Sequence, residues 1–205
     1  MPKNLHFPNM TETGILILAA GASFRLGQPK QNLVYQGQTL LERTIETATQ
    51  ATLGPIVVVL GANSQQIQSD LTLAGVTVTH NPHWEMGMAS SLKVGLSLLL
   101  EQHLTVSQVL ILLCDQPLIT PQLLREMVQN AAATPKPIIA CAYRDTVGVP
   151  VLFKQSFFIH LKTLTGQEGA KKLLKQFPDQ VLALPFEPAA VDIDTLADYQ
   201  ALQNN

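Results

Sequence analysis

A group of glycine, hydroxyl and cationic residues directly follows the first apolar stretch of the chain. The stretch is 14-GILI-17, and the group comprises Gly21, Ser23, Arg25 and Lys30. Glycine lets the main chain approach a ligand closely, and successive backbone N–H groups in such a turn form a nest for anions. Arginine adds a forked donor for phosphate oxygens, and lysine adds a point charge. The types and spacing therefore indicate binding of a phosphate-bearing molecule.

The spacing of this loop differs from that of the two common nucleotide-binding loops. A dinucleotide-binding loop reads G-x-G-x-x-G and a P-loop reads G-x-x-x-x-G-K-[ST], whereas residues 18–30 read LAAGASFRLGQPK and contain neither. A flexible loop with solvated charges is the alternative interpretation. That alternative explains poorly why these residue types gather at one strand end in a chain with 14% charged residues.

An acidic residue follows another apolar stretch. Asp115 ends the run 109-VLILLC-114, and Pro117 blocks continuation of a strand. In open α/β sheets, ligands bind in the crevice outside the carboxyl ends of the strands, so Asp115 is expected to face the glycine-containing loop. Magnesium is usually held by one or two carboxylates together with phosphates and waters. Asp115 is thus a candidate metal ligand, and a helix cap or a solvated turn is its alternative role.

Apolar runs alternate with helical patterns over most of the chain, which predicts a mainly parallel sheet covered on both faces. We expect one α/β domain at 14–205, a Rossmann-like three-layer α/β/α domain with a mostly parallel mixed sheet of about seven strands. A flexible N-terminal segment at 1–13 precedes it. Strands are predicted at 14–20, 55–61, 76–80, 108–114, 137–143, 149–153 and 181–185, with a short ribbon at 32–40. Helices are predicted at 40–50, from 63, at 92–100, at 121–133, in two short stretches after 153, and after Thr195. Ser90 or Ser91 is the predicted cap of the helix at 92–100, and Asp194 is interpreted as a cap or turn residue before the last helix.

Composition narrows the classes of protein and partner. A length of 205 residues suits one domain with a full core. The formal net charge of -2 does not favour nucleic-acid binding. No apolar run reaches the roughly 20 residues of a membrane helix, and 1–13 lacks the apolar centre of a signal peptide, so we expect a cytoplasmic protein without a membrane partner.

Cys114 and Cys141 lie in apolar runs and are predicted to pack in the core, with a redox pair as the alternative.

The glycine-containing loop resembles the signature of the nucleotidyltransferase superfamily, a glycosyltransferase-A-like group. The signature is L-A-A-G-x-S-x-R-x-G-x-x-K, and within the superfamily the chain is most similar to the molybdenum cofactor cytidylyltransferase group. The segments 81–92, NPHWEMGMASSL, and 166–173, GQEGAKKL, also resemble patterns of that group. The histidine of the group's G-H-P-x-x-F pattern is replaced here by Val149. The resemblance therefore determines the identity of the acceptor substrate less well than it determines the nucleotide chemistry.

The resemblance implies roles for individual residues. Arg25, Lys30 and Asp115 would be catalytic, with Mg²⁺ held by Asp115 and Asp192; a role at the entry to the last helix is the alternative for Asp192. Trp84 would either contact the nucleotide or pack beneath its loop. The implied nucleotide-binding residues are Leu18, Ala19, Ala20, Gly21, Ser23, Arg25, Lys30, Gly87, Ser90, Ser91 and Asp115.

The resemblance further implies transfer of CMP from CTP to molybdopterin, with release of pyrophosphate. The sequences 19-AAG-21 and 29-PK-30 favour CTP over GTP. The alternatives are guanylyl transfer from GTP, nucleotidyl transfer to a sugar or alcohol phosphate, and a carrier that holds molybdenum cofactor without turnover. A molybdoenzyme that receives the product is the implied protein partner.

Overall fold

The computed structural model describes residues 12–69 and 75–204. Within these ranges the strands are β1 (Glu12–Ala19), β2 (Val34–Tyr35), β3 (Gln38–Thr39), β4 (Ile56–Leu60), β5 (Thr77–His80), β6 (Val106–Leu113), β7 (Ile138–Tyr143), β8 (Thr146–Lys154) and β9 (Val181–Pro185). The helices are α1 (Leu40–Ala51), α2 (Ser64–Ser69), α3 (Met88–Gln102), α4 (Pro121–Ala133), α5 (Phe158–Thr163), α6 (Ala170–Gln176) and α7 (Leu196–Gln203). None of the described helices is both long and apolar enough to cross a membrane.

Seven of the described strands form one mixed sheet, in the order β5-β4-β1-β6-β8-β7-β9. Strand β1 pairs in parallel with β4 and β6, and β4 pairs in parallel with β5. Strand β8 runs antiparallel to β6 and β7, whereas β9 is parallel to β7. The predicted mostly parallel mixed sheet of about seven strands is therefore confirmed. Because β1 and β6 are parallel neighbours, the segments that follow them emerge side by side.

The two faces of the sheet are buried under separate helices. Along β1, Ile15 and Ile17 point to one face and Leu16 to the other, as the two-residue period of a strand requires. Helices α1 and α4 cover the first face, and α3, α5 and α6 cover the second. Each fully buried aliphatic side chain of this size contributes about 1.5–3 kcal/mol to folding. The predicted three-layer architecture is confirmed, and both layers hold the central strands in place.

Strand β1 begins two residues earlier than predicted. Glu12 and Thr13, assigned from sequence to a flexible segment, pair with Val106 and Gln108 of β6. Thr13 is buried, and its Oγ1 accepts a hydrogen bond of 2.6 Å from Gln108 Nε2. This polar pair explains why the apolar pattern missed the start of the strand. The remainder of the predicted segment, 1–11, lies outside the described residues.

Helix α3 also begins earlier than predicted, at Met88, with Gly87 at its N-cap position. Ser90 and Ser91 therefore lie in its first turn, and the prediction that either caps the helix is wrong. Asn81 Nδ2 donates to both serine hydroxyl oxygens, at 2.8 and 2.9 Å. The serines thus fasten the preceding loop to the helix.

Both cysteines are free and buried, which confirms the prediction that they pack in the core. Burial, with the charge of Asp115 adding to it, raises the pKa of the Cys114 thiol to about 12. Burial raises the pKa of Cys141 to about 12 as well. Both thiols are therefore protonated throughout the neutral range.

We expect both thiols to resist Ellman's reagent in the folded protein at pH 8. With a pKa of about 12, only about one thiol in 10⁴ is ionised at that pH, and only the thiolate reacts. The protein unfolded in urea should react at both positions within minutes and serves as the internal control. Fast stoichiometric labelling without urea would contradict the burial of these groups.

Candidate functional site

The loop after β1 turns back on itself within eleven residues. Ser23 and Gly27 adopt left-handed backbone angles, with φ of 55° and 68°, on either side of a 3₁₀ turn at Phe24–Leu26. The backbone N–H of Lys30 donates to Ser23 Oγ at 3.0 Å and closes the loop. The loop therefore returns Lys30 to the end of the strand from which it started.

A buried glutamine holds the base of this loop. Gln31 is 1% exposed, and its Nε2 donates to Ala19 O at 2.7 Å and to Gly21 O at 3.0 Å. One side chain thus bonds two carbonyls at the start of the loop. Gly21 itself faces open space, since a Cβ placed there would meet no atom within 4 Å. The main chain at Gly21 is accordingly accessible to a ligand.

Four charged side chains from three separate segments meet at the end of β1 and β6. Lys30 Nζ donates to Asp115 Oδ2 at 2.6 Å and to Asp194 Oδ1 at 3.0 Å. Arg25 Nη2 donates to Asp194 Oδ2 at 2.7 Å. We call these residues, Arg25, Lys30, Asp115 and Asp194, the charge cluster. The sequence correctly placed Asp115 opposite the loop, but the prediction that Asp194 is only a cap or turn residue is wrong.

The pKa shifts in the charge cluster follow its geometry. Burial is the largest influence on Lys30 and favours the neutral amine, but its contacts with Asp115 and Asp194 outweigh it and raise the pKa overall. Burial likewise opposes ionisation of Asp194, yet the hydrogen bonds from Lys30 and Arg25 lower its pKa overall. Both groups are therefore charged at neutral pH.

Asp192 stands apart from these contacts. Burial raises its pKa, and the charges of Asp115 and Asp194 raise it further, so it lies within electrostatic reach of both carboxylates. Its side chain is nevertheless mostly exposed and does not line the cavity described below. Its assignment as a metal ligand stays a prediction.

One oxygen of Asp115 suits a hard cation. Asp115 Oδ1 is buried and has no hydrogen-bond partner among the described residues, while Oδ2 is bound to Lys30. An unpaired buried carboxylate oxygen is costly unless something binds it. The part of the chain that the structure describes contains no group of three or more histidine, cysteine, aspartate and glutamate residues able to hold a metal. A magnesium ion here would take most of its other ligands from phosphate and water, as this ion commonly does.

The charge cluster lies in a cavity of about 550 Å³, within the range of small-molecule sites. Most residues implied by the family resemblance line it, namely Leu18, Ala19, Ala20, Gly21, Ser23, Arg25, Lys30, Gly87, Ser91 and Asp115. Ser90 is absent from the cavity wall. Its hydroxyl lies 2.8 Å from Gly87 O and 3.0 Å from His83 O, and its one proton is donated to either of these carbonyls. The lining also includes Phe24, Gln31, Gln167 and Asp194, which sequence reasoning did not assign to a ligand.

Phe24 has an unusual position for a large apolar side chain. It is 86% exposed and stands on the loop at the cavity wall. Exposed aromatic surface of this kind gains free energy when a ligand covers it. The sequence signal for this position was that Phe24 is the single aromatic residue between Gly21 and Gly27.

The opposite wall of the cavity is formed by the loop between β5 and α3. Asn81 is fully buried and links this loop to α3, and its Oδ1 accepts from His83 N at 3.0 Å. Trp84 is half-buried and lines the cavity, and its Cβ lies 2.6 Å from where a Cβ would stand at Gly61. Trp84 thus packs against the end of β4 and also faces the space available to a ligand.

Gly87 allows two loops to meet at this wall. Its φ is 100°, and a Cβ at this position would lie 2.2 Å from Gly166 O. The same carbonyl accepts a hydrogen bond from Ala89 N at 3.2 Å. The contact between Gly87 and Gly166 brings Gln167 to the cavity. Gly87 therefore shapes the site through backbone packing.

The C-terminal segment is fastened beside Asp115. Asp115 O accepts from Ile193 N at 2.9 Å, and Gln116 Nε2 donates to Ala189 O at 2.8 Å. Gln116 Nε2 also donates to Val149 O at 3.0 Å. The backbone at position 149 therefore has a structural role that does not require the histidine of the family pattern.

These features agree with what comparison with known proteins finds. The MobA-like NTP transferase domain family matches residues 15–181. The chain belongs to this family, and it is thereby a member of the nucleotidyltransferase superfamily. The resemblance inferred from the loop is confirmed.

Individual relatives carry different names. Nicotine blue oxidoreductase of Paenarthrobacter nicotinovorans is 31% identical over 195 residues, covering 90% of this chain and 92% of that protein. Molybdenum cofactor cytidylyltransferase of Escherichia coli K12 is 26% identical over 193 residues, covering 93% and 95%. A crystal structure of Rv0371c from Mycobacterium tuberculosis H37Rv in complex with manganese has 30% identity and a TM-score of 0.80, covering 95% of this chain and 100% of that one.

We expect Gly87→Ala to destabilise the protein while Gly21→Ala does not. The new methyl group at position 87 would collide with Gly166 O on a strained backbone, at a cost of about 1–3 kcal/mol or more. At position 21 it would meet open space, so the change should stay within about 0.5 kcal/mol. Urea unfolding of both variants measures the difference. Equal stability of the two variants would contradict the close contact at Gly87.

Proposed function

We propose that this protein is a magnesium-dependent nucleotidyltransferase that transfers CMP from CTP to molybdopterin and releases pyrophosphate. The charge cluster carries the proposal. Lys30 and Arg25 converge with Asp115 in a cavity beside the accessible main chain at Gly21. This arrangement holds two cations that can bind phosphate close to a carboxylate that can bind a divalent ion.

The triphosphate would lie along the loop after β1. Arg25 projects into the cavity from the 3₁₀ turn and is largely exposed, so its forked donor is available to phosphate oxygens. Lys30 is mostly buried and is charged because its pKa is raised. Its fixed charge at the floor of the cavity would stabilise negative charge that develops during transfer. Base and sugar would face the wall that contains Trp84, Gly87 and Ser91.

Asp115 is the proposed ligand for Mg²⁺, through the unpaired Oδ1, with Asp192 as the second carboxylate. When bound, the ion would neutralise phosphate charge and orient the triphosphate. A divalent cation is supported by the manganese complex of the related Rv0371c. The choice of magnesium is ours.

The reaction we propose needs no general base. A phosphate oxygen of the acceptor forms a bond to the α-phosphorus of the nucleotide, and the bond from that phosphorus to the bridging oxygen of pyrophosphate breaks. The acceptor phosphate is already ionised at neutral pH. Positioning and charge stabilisation by Arg25 and Lys30 are therefore the contributions expected from the protein.

The choice of substrates rests on sequence. The 19-AAG-21 and 29-PK-30 sequences favour CTP, and a cytidylyltransferase is among the relatives. GTP, or a sugar or alcohol phosphate as acceptor, would use the same charge cluster. A carrier that binds molybdenum cofactor without turnover is the non-enzymatic alternative. A cytoplasmic location and delivery of the product to a molybdoenzyme complete the proposal.

Pyrophosphate release with magnesium, molybdopterin and each of CTP, GTP, ATP and UTP tests the proposed activity. Release with CTP alone supports it, and release with another nucleotide keeps the chemistry but overturns the specificity. Nucleotide binding without release with any acceptor would favour the carrier.

A redox activity is the second candidate, because a relative with 31% identity is named nicotine blue oxidoreductase. The same purified protein should be mixed with nicotine blue and a hydride donor such as a reduced nicotinamide dinucleotide. Loss of the dye's colour together with oxidation of the donor would favour this candidate. Neither change is expected if the protein transfers nucleotides.

We expect Lys30→Ala and Asp115→Ala each to lower the rate of pyrophosphate release about 10²–10³-fold, by analogy with other charge-stabilising groups. Lys162→Ala and Asp179→Ala remove the same charges from exposed positions outside the cavity and should keep full activity. Asp194 still pairs with Lys30 when Asp115 is removed, so the fold should persist. Thermal unfolding checks this, and a folded, fully active Asp115→Ala protein would overturn the metal assignment.

A further inference from the structure

Phe24 is an apolar side chain that the protein leaves uncovered in a ligand cavity. It is 86% exposed, and it lines the cavity from the 3₁₀ turn of the loop after β1. Among the described residues it makes no ring contact and joins none of the three apolar clusters. A lone exposed apolar residue is common on a protein surface. What distinguishes Phe24 is its place in the cavity wall.

The turn that carries Phe24 also carries an apolar side chain that does find cover. Leu26, two residues further on, packs against the apolar cluster that contains Ile193. The backbone of the turn is fixed as well, because Lys30 N donates to Ser23 Oγ at 3.0 Å and closes the loop. The exposure of Phe24 is therefore a property of the folded loop.

Two aromatic side chains of the described residues line this cavity, and they come from opposite walls. Phe24 belongs to the loop after β1, and Trp84 belongs to the loop between β5 and α3. A phosphate group gains nothing from contact with an apolar ring, whereas a flat heteroaromatic ring stacks on one. The cavity therefore offers stacking surfaces for two rings, one on each wall.

We infer that Phe24 is a specificity-determining residue that binds a flat heteroaromatic ring of the acceptor substrate. The proposed function places the base of the nucleotide at the wall that contains Trp84, which leaves the wall of Phe24 for a second ring. This inference rests on the proposed function. It adds the residue that selects a ring-bearing phosphate acceptor over a sugar or alcohol phosphate.

The position of Phe24 in the chain fits an acceptor that carries both a ring and a phosphate. Arg25 follows it directly, lines the same cavity and has a side chain that is 68% exposed. One ligand can therefore place its ring on Phe24 and its phosphate near Arg25. Such a phosphate would lie beside the triphosphate proposed to follow the same loop, and transfer between the two requires this proximity.

We expect Phe24→Ala to weaken binding of a pterin monophosphate about tenfold, since stacking of a base on an aromatic side chain commonly has an effect of this size. Binding of glycerol phosphate, which has no ring, and of a non-hydrolysable CTP analogue should not change. Phe24→Tyr keeps the ring and should bind the pterin like wild type, whereas Phe24→Leu keeps only apolar bulk and should recover part of the affinity. Leu104→Ala removes an apolar side chain that is 90% exposed outside the cavity, and it should leave every affinity unchanged.

Fluorescence anisotropy of the pterin measures its affinity for protein saturated with magnesium and the CTP analogue. Calorimetric titration measures the other two ligands. The analogue prevents turnover, so all variants are compared at equilibrium. Because Phe24 is largely exposed, Phe24→Ala should unfold at the same temperature as the wild-type protein, and thermal unfolding checks this.

The outcomes separate this inference from the proposed function. Wild-type protein that binds the CTP analogue, with the pterin monophosphate bound equally well by Phe24→Ala or bound by neither protein, would overturn the role of Phe24 and keep the nucleotide site. Weaker binding of the CTP analogue alone would assign Phe24 to the base, and equal weakening for every ligand would mean that it only supports the loop; either result overturns the inference. If the wild-type protein bound no nucleotide with or without magnesium, the proposed function would fail and this inference with it.

Discussion

The ion pair between Lys30 and Asp115 is the contact on which the site depends. It joins the loop after β1 to the residue that follows Cys114 at the end of β6, and both side chains are largely buried. A buried charge without a partner would cost several kcal/mol, so the loop must return far enough to place the ammonium at the carboxylate. Gln31 makes that return possible by bonding the carbonyls at the start of the loop.

The sheet determines which segments can contribute to this site. The parallel pairing of β1 with β6 sets the ends of these two strands side by side. Helices cover both faces of the sheet, and the cavity that holds the charge cluster lies at the strand ends. Other contacts bring segments that are distant in the sequence to the cavity at the strand ends. Ile193 binds the backbone of Asp115 and thereby brings the C-terminal segment to the loop. Gly87 and Gly166 bring two further loops together at the opposite wall. A family of enzymes can keep this frame while the segments around it vary.

Local patterns in the sequence predicted much of this arrangement. The alternation of apolar runs and helical patterns indicated the layers and the mixed sheet, and a carboxylate at the end of an apolar run indicated Asp115. The role of Asp194 was beyond reach, because its partners lie 164 and 169 positions away and a nearby capping sequence offered a local explanation. The prediction that Ser90 or Ser91 caps α3 failed for a similar reason, since the hydroxyl bonds of these serines depend on how the loop after His80 folds back. Short-range spacing predicts elements well, whereas contacts between distant loops require the tertiary structure.

The most informative experiment is a crystal structure of the protein with Mn²⁺ and a non-hydrolysable CTP analogue. We expect anomalous density for the ion beside Asp115 Oδ1, the triphosphate along the loop after β1, and Lys30 moved from the carboxylates to a phosphate oxygen. A nucleotide bound elsewhere would contradict the account. A nucleotide in the cavity with the Lys30–Asp115 and Arg25–Asp194 pairs intact would contradict it equally, because the charges proposed to bind the ligand would then not take part.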